Sequence, residues 1–161
     1  MIVAVPKETA AGETRVALTP DVAKRLIGKG VSVRVEAGAG AAAGFPDAAY
    51  KDVGCEVTDR AQAMAGDIVL VVQAPSQPEQ IREGTVLVGM FQPLSSPALV
   101  KALAQRQLTT FSLELLPRIT RAQSMDVLSS MSTVAVVRET CSTRVSMRRM
   151  AGEAPMNSMS V

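Results

Sequence analysis

"PRITRAQSMDVLSSMSTVA", Pro117 to Ala135, packs two arginines, a glutamine, an aspartate and several serines between two hydrophobic segments. Polar residues this dense, straight after a strand-like run, are either solvated or gripping a polar ligand. Met125, Leu128, Met131 and Val134 fall three apart and form an apolar helical stripe. Asp126, Ser129 and Ser130 then lie on the faces beside it, and Arg118 and Gln123 stand near its start. On spacing alone this is a ligand-holding loop and helix or a capped surface helix.

The other chemistry-bearing residues sit in loops that follow strand-like runs. "PKETAAGETRVALTP" places Lys7, Glu8, Glu13 and Arg15 after the first run. An arginine there can hold a carboxylate bidentately, or can belong to an incidental ion pair in a solvated loop. Gln73 opens the loop "QAPSQPEQ", and Gln92 leads "FQPLSSP". Both strand ends carry an uncharged amide where an acid–base enzyme needs lysine or histidine. "GAGAAAG", Gly38 to Gly44, follows a strand, with Asp59 beyond it at the distance of a ribose-binding acid. Its third glycine position is Ala43, and Phe45-Pro46 breaks the helix whose N-terminus a pyrophosphate needs. A plain strand-to-helix turn is the preferred reading.

Composition narrows the chemistry further. The 161 residues contain no histidine, which removes Ser-His-Asp and Cys-His nucleophiles and histidine-ligated metals. Cys55 and Cys141 are far apart and lack CxxC spacing, so no zinc site and no metal is expected. Aromatics make up 2% of the chain, which speaks against stacking platforms for single-stranded nucleic acid. Residues 1–135 balance their acidic and basic side chains, and the net charge of +2 comes from residues 136–161. The basic pI is therefore no evidence for a nucleic-acid face on the body, and no nucleic-acid partner is expected. The N-terminus has no signal-peptide pattern, and no apolar run reaches membrane-spanning length.

The elements that position these loops read as alternating strands and helices. Strands are expected at Ile2–Val5, Val31–Val35, Cys55–Thr58, Ile68–Val72, Val86–Gly89 and Leu108–Ser112. Helices are expected after Thr19-Pro20, over Pro46–Val53, over Arg60–Ala65 behind an Asp59 cap, and from Ser96-Pro97 to Gln105. Ile68–Val72, apolar throughout, is expected to be buried on both faces. The fold class is α/β: a mostly parallel, flavodoxin-like (Rossmann-like) sheet with helices on both faces and an irregular C-terminal tail. Ligands of such sheets sit at the carboxyl ends of the strands.

With these residues located, the chain resembles a known family. "VAVPKETAAGETRVALTP", "VEAGAG", "IVLVVQAP" and above all "LELLPRITRAQSMDVLSSMSTVA" look like the start of the alpha subunit of NAD(P) transhydrogenases, a family that includes alanine dehydrogenase. Alanine dehydrogenases use a lysine and a histidine where this chain has Gln73 and Gln92, so the missing histidine favours the transhydrogenase branch. The resemblance implies that Arg118, Asp126 and Ser129 contact the nicotinamide end of NAD(H). Gln123 would reach towards NADP(H), held on a partner component. Arg15 and Gln73 carry over only as a substrate site of the alanine dehydrogenase kind. The implied partners are the membrane and NADP-binding components of a proton-translocating transhydrogenase, with the intact protein a homodimer. The implied location is cytoplasmic, peripheral to the inner membrane through those partners. Residues 1–135 form the family's N-terminal domain in this reading. Residues 136–161 are expected to form a divergent tail, whether by frameshift, gene misassembly, truncation or genuine divergence, and the family's GxGxxG cofactor domain is absent from the sequence. Two other classes stay open: an alanine dehydrogenase-like oxidoreductase and a non-catalytic interaction module.

Overall fold

The computed structural model describes residues 1–116, so the stretch from Pro117 onward lies outside the described residues. Six strands form one sheet: β1 (Ile2–Val5), β2 (Ser32–Glu36), β3 (Glu56–Thr58), β4 (Ile68–Gln73), β5 (Val86–Met90) and β6 (Thr109–Ser112). Four helices connect them: α1 (Pro20–Ile27), α2 (Asp47–Asp52), α3 (Arg60–Ala63) and α4 (Pro97–Gln105). Every strand pair is parallel, and the order is β3-β2-β1-β4-β5-β6. The expected doubly wound sheet is therefore present, and its order is that of dinucleotide-binding folds rather than the 2-1-3-4-5 order of flavodoxins. The chain winds outward from β1 to β3, then returns to β4 on the other side of β1. The switch of direction lies between β1 and β4.

The local signals act as the residues suggest, with two differences. Pro20 and Pro97 each stand at a first helical position, where the missing N–H costs nothing. Asp59 caps α3 by accepting from Gln62 N at 2.9 Å. Thr19, in contrast, has extended cap geometry but makes no side-chain bond to the helix. β4 buries one face, through Val69 and Val71, while Ile68, Leu70 and Val72 on the other are only half covered. Its apolar character reflects a cover of loops as well as helices.

Alternation along the strands divides the core in two. Ala4 joins Met64, Val69, Ile81, Leu87 and Leu103, while its neighbour Val5 joins Leu18, Ala23, Val33, Val35 and Tyr50. Tyr50 is fully buried, and its hydroxyl donates to the Leu18 carbonyl at 2.8 Å. That satisfies the polar tip of the large ring in the second cluster.

Candidate functional site

The β1–β4 ladder stops at Ala4↔Val69, which leaves the last amides of β4 without a strand on that side. A side chain takes the place of the missing backbone. Glu8, in the loop after β1, accepts from Val72 N at 2.6 Å and Gln73 N at 3.2 Å. Burial pushes the Glu8 carboxyl above its ordinary range and the Glu13 carboxylate adds to the rise, against the pull of the two amide bonds and Arg15.

Beside it, Glu13 accepts from Arg15 through Nε at 2.7 Å and Nη2 at 2.5 Å, from Arg15 N at 3.0 Å, and from Gln73 Nε2 at 3.3 Å. The Arg15 bonds hold the Glu13 carboxyl down to about 2, against the opposing effect of burial. Arg15 and Gln73 are thus brought together, through Glu13, at the switch point between β1 and β4. Arg15 is ion-paired with Glu13. Its fork is filled by a carboxylate of its own loop, which a substrate carboxylate would have to displace. Lys7 stands on the outer side of the loop, where its N–H donates to Glu36 at 2.7 Å.

These bonds carry a pH signature. Glu13 has a folded pKa below its unfolded one, so its stabilising effect is present above pH ~4.5 and is lost as pH falls towards 2. Glu8 has the opposite sign and loses its contribution as pH rises through its raised pKa. Glu13→Gln should therefore make the acid limb of stability shallower between pH 5 and 2. Arg15 is partly exposed, so the difference should be on the order of 1 kcal/mol. Thermal midpoints of both proteins across that range test this; parallel curves would show that the pair is unimportant.

The glycine stretch resolves as the strand-to-helix turn. Ala41–Ala43 form a single 3-10 turn, and Gly38 N is taken up by Asp47 Oδ1 at 2.8 Å. Gly40 lies against Tyr50 and the Phe45 carbonyl. Asp59 is engaged through one carboxylate oxygen as the cap of α3. Glu36, at the carboxyl end of β2, is occupied by Lys7 N and by Arg60 Nη1 at 3.2 Å. Among the described residues the glycine turn leads into a single 3-10 turn rather than a helix N-terminus of the kind a pyrophosphate needs.

At the end of β5, Glu114 repeats the arrangement seen at Glu8. Its Oε1 accepts from Phe91 N at 2.9 Å, from Ser112 Oγ at 2.8 Å and from Gln92 N. Burial raises the Glu114 carboxyl, but the bonds from Ser112 and the backbone amides outweigh it, and its pKa lies below the usual range. Sequence reasoning missed both carboxylates as strand-end acceptors, because their partners lie 64 and 23 residues away.

It also missed an apolar groove of about 360 Å³ between α4 and β6, lined by Phe91, Val100, Leu103, Leu108, Phe111 and Leu115. Cys55 is buried, and burial pushes its thiol up. Among the described residues no cluster of three or more His, Cys, Asp or Glu could hold a metal ion. None of their helices is long and apolar enough to cross a membrane. Arg118, Gln123, Asp126 and Ser129 lie outside the described residues, as does Cys141.

A parallel 3-2-1-4-5-6 sheet with polar groups gathered at its switch point defines a Rossmann-like α/β domain. The chain belongs to the family described as "Alanine dehydrogenase/PNT, N-terminal domain", which matches residues 4–135. It is 43% identical over 147 residues to the first portion of the NAD(P) transhydrogenase alpha subunit of Rhodospirillum rubrum, a match covering 86% of this chain and 38% of that protein. The alanine dehydrogenase of Bacillus subtilis is more distant, at 36% identity over 138 residues, covering 84% of this chain and 36% of the relative. The crystal structure of the Sinorhizobium meliloti transhydrogenase superposes with a TM-score of 0.78 at 42% identity, over 81% of this chain and 40% of that one. The chain thus spans less than half the length of these relatives.

Proposed function

We propose that this chain is the N-terminal part of the NAD(H)-binding component of a proton-translocating NAD(P) transhydrogenase. The observation that carries this reading is the chemistry of the strand ends. β4 and β5 lead into Gln73 and Gln92, whose amides do not titrate and so cannot act as acid or base at neutral pH, and the sequence contains no histidine. When NADH is bound, its reduced ring supplies the hydride; transfer between two nicotinamides needs alignment and exclusion of water rather than an acid or base. The reductive amination performed by an alanine dehydrogenase needs a proton shuttle. That second reading rests on Arg15, whose guanidinium Glu13 already occupies. Ammonia- and pyruvate-dependent NADH oxidation would establish it instead.

In the proposed site Arg118, Asp126 and Ser129 hold the nicotinamide end of NAD(H), and Gln123 sets its alignment to NADP(H) on the partner component. The intact protein is proposed to be a homodimer, cytoplasmic and attached to the inner membrane through the membrane and NADP-binding components. In this reading residues 136–161 are a divergent tail.

The described ligand end fits a nicotinamide better than a pyrophosphate. Glu8 and Glu13 face a single arginine there, and the glycine turn offers no phosphate cradle. The 161-residue chain should accordingly bind NADH with at best millimolar affinity. Calorimetric titration of the purified chain checks this, and a micromolar Kd would contradict it.

A further inference from the structure

β5 ends at Met90, and the chain bends sharply beyond it. Gln92 takes a φ of +46°, in the left-handed region that residues with a β-carbon enter at a cost. Such a conformation persists only where its surroundings hold it. Two adjacent donors, Phe91 N and Gln92 N, converge on Glu114 Oε1 together with the Ser112 hydroxyl. The Gln92 carbonyl accepts from Ser95 N at 2.9 Å and Ser96 N at 3.0 Å, at the entrance to α4. No strand backbone does this work. β6 pairs with β5 only as far as Gly89↔Ser112, and Glu114 follows two residues later. The Gln92 side chain is left exposed, without a hydrogen bond among the described residues.

We propose that Glu114 is a positioning residue of the ligand end, holding the left-handed turn that presents the Gln92 side-chain amide. An amide both donates and accepts, as does the carboxamide of a nicotinamide ring. The identity of that ligand rests on the function proposed above; the clasp itself does not. Glu114→Gln is the informative change. It preserves shape and one acceptor oxygen while removing the charge. The other carboxylate oxygen, Oε2, is buried and has no partner among the described residues, so no existing bond is broken there.

Two measurements on the 161-residue chain decide the matter. In the first, denaturation midpoints are compared for Glu114→Gln, Gln92→Gly and the double variant, with amide exchange followed by NMR. Glycine accepts a positive φ without strain. The loss caused by Glu114→Gln should therefore shrink in the Gln92→Gly background. Exchange at Phe91 and Gln92 should quicken about tenfold in Glu114→Gln, with Leu87 unchanged. Additive midpoints and unchanged exchange would overturn the clasp.

In the second, reduced nicotinamide mononucleotide at millimolar concentration should shift the Gln92 side-chain resonance in the wild-type chain. Glu114→Gln should reduce that response severalfold. Shifts elsewhere that spare Gln92 would overturn the positioning role. A complete lack of shifts would count against the dinucleotide reading instead, and the coupling between Glu114 and Gln92 would still decide the clasp.

Discussion

Gly40→Ala is expected to destabilise the domain by about 2–3 kcal/mol, which lowers its thermal midpoint by roughly 10 °C. The reason is space rather than backbone conformation, because Gly40 has an ordinary φ of −88°. A β-carbon there would stand 2.7 Å from the Phe45 carbonyl oxygen and 2.7 Å from Tyr50 Cε2, with the Tyr50 hydroxyl oxygen at 2.9 Å. Neither obstacle can yield easily. Phe45 N donates back to the Gly40 carbonyl at 2.9 Å, which closes the turn on itself. The Tyr50 ring is fully buried and tied through its hydroxyl to Leu18. Gly44→Ala is the useful contrast: nothing lies within 4 Å of its added carbon, but its φ is +86°. It should cost about 1 kcal/mol through backbone strain alone. Urea denaturation of the two variants separates overpacking from strain. Equal losses would mean that the glycine stretch is not packed on Tyr50 as described.

That turn shows what a single sequence makes legible. Gly38 to Gly44 looks like a phosphate loop by composition, and the break at Phe45-Pro46 correctly argues otherwise. The reason for the glycine at position 40 is a ring ten residues away that spacing alone does not reveal. The strands were readable because β-branched, apolar runs stopped by Pro, Gly or Asp leave few alternatives. Their order was not, since each β-α-β crossover reads alike and only tertiary packing places β4 beside β1. Site residues divide in the same way. The Glu13–Arg15 pair is two residues apart and visible in the sequence. Glu8 and Glu114 serve amides far along the chain, and their role follows from where strand ladders stop. The residues proposed for the nicotinamide loop rest on the resemblance of the motif from Pro117 to Ala135, which lies outside the described residues.

Gln123→Asn is expected to slow hydride transfer by about tenfold or more while changing NADH affinity little. The protein to use joins residues 1–135 of this chain to the remainder of the matching Rhodospirillum rubrum alpha-subunit chain, supplied with the partner components. Asparagine keeps the amide but shortens the side chain by one methylene, so it alters reach without altering charge or hydrogen-bonding type. A residue that sets the approach of two rings should be sensitive to such a change, because displacements near 1 Å can cost up to about a hundredfold in rate. Asp126 gives the opposite partition. Its spacing of three from Ser129 would let both point from one side of the expected helix to the same ligand edge in the proposed site. Asp126→Ala should weaken NADH binding, through loss of a hydrogen bond worth about 1 kcal/mol or more. Stopped-flow transfer measured beside equilibrium NADH titration separates alignment from binding. An unchanged transfer rate in Gln123→Asn would remove the alignment role and leave the polar loop as a capped surface helix.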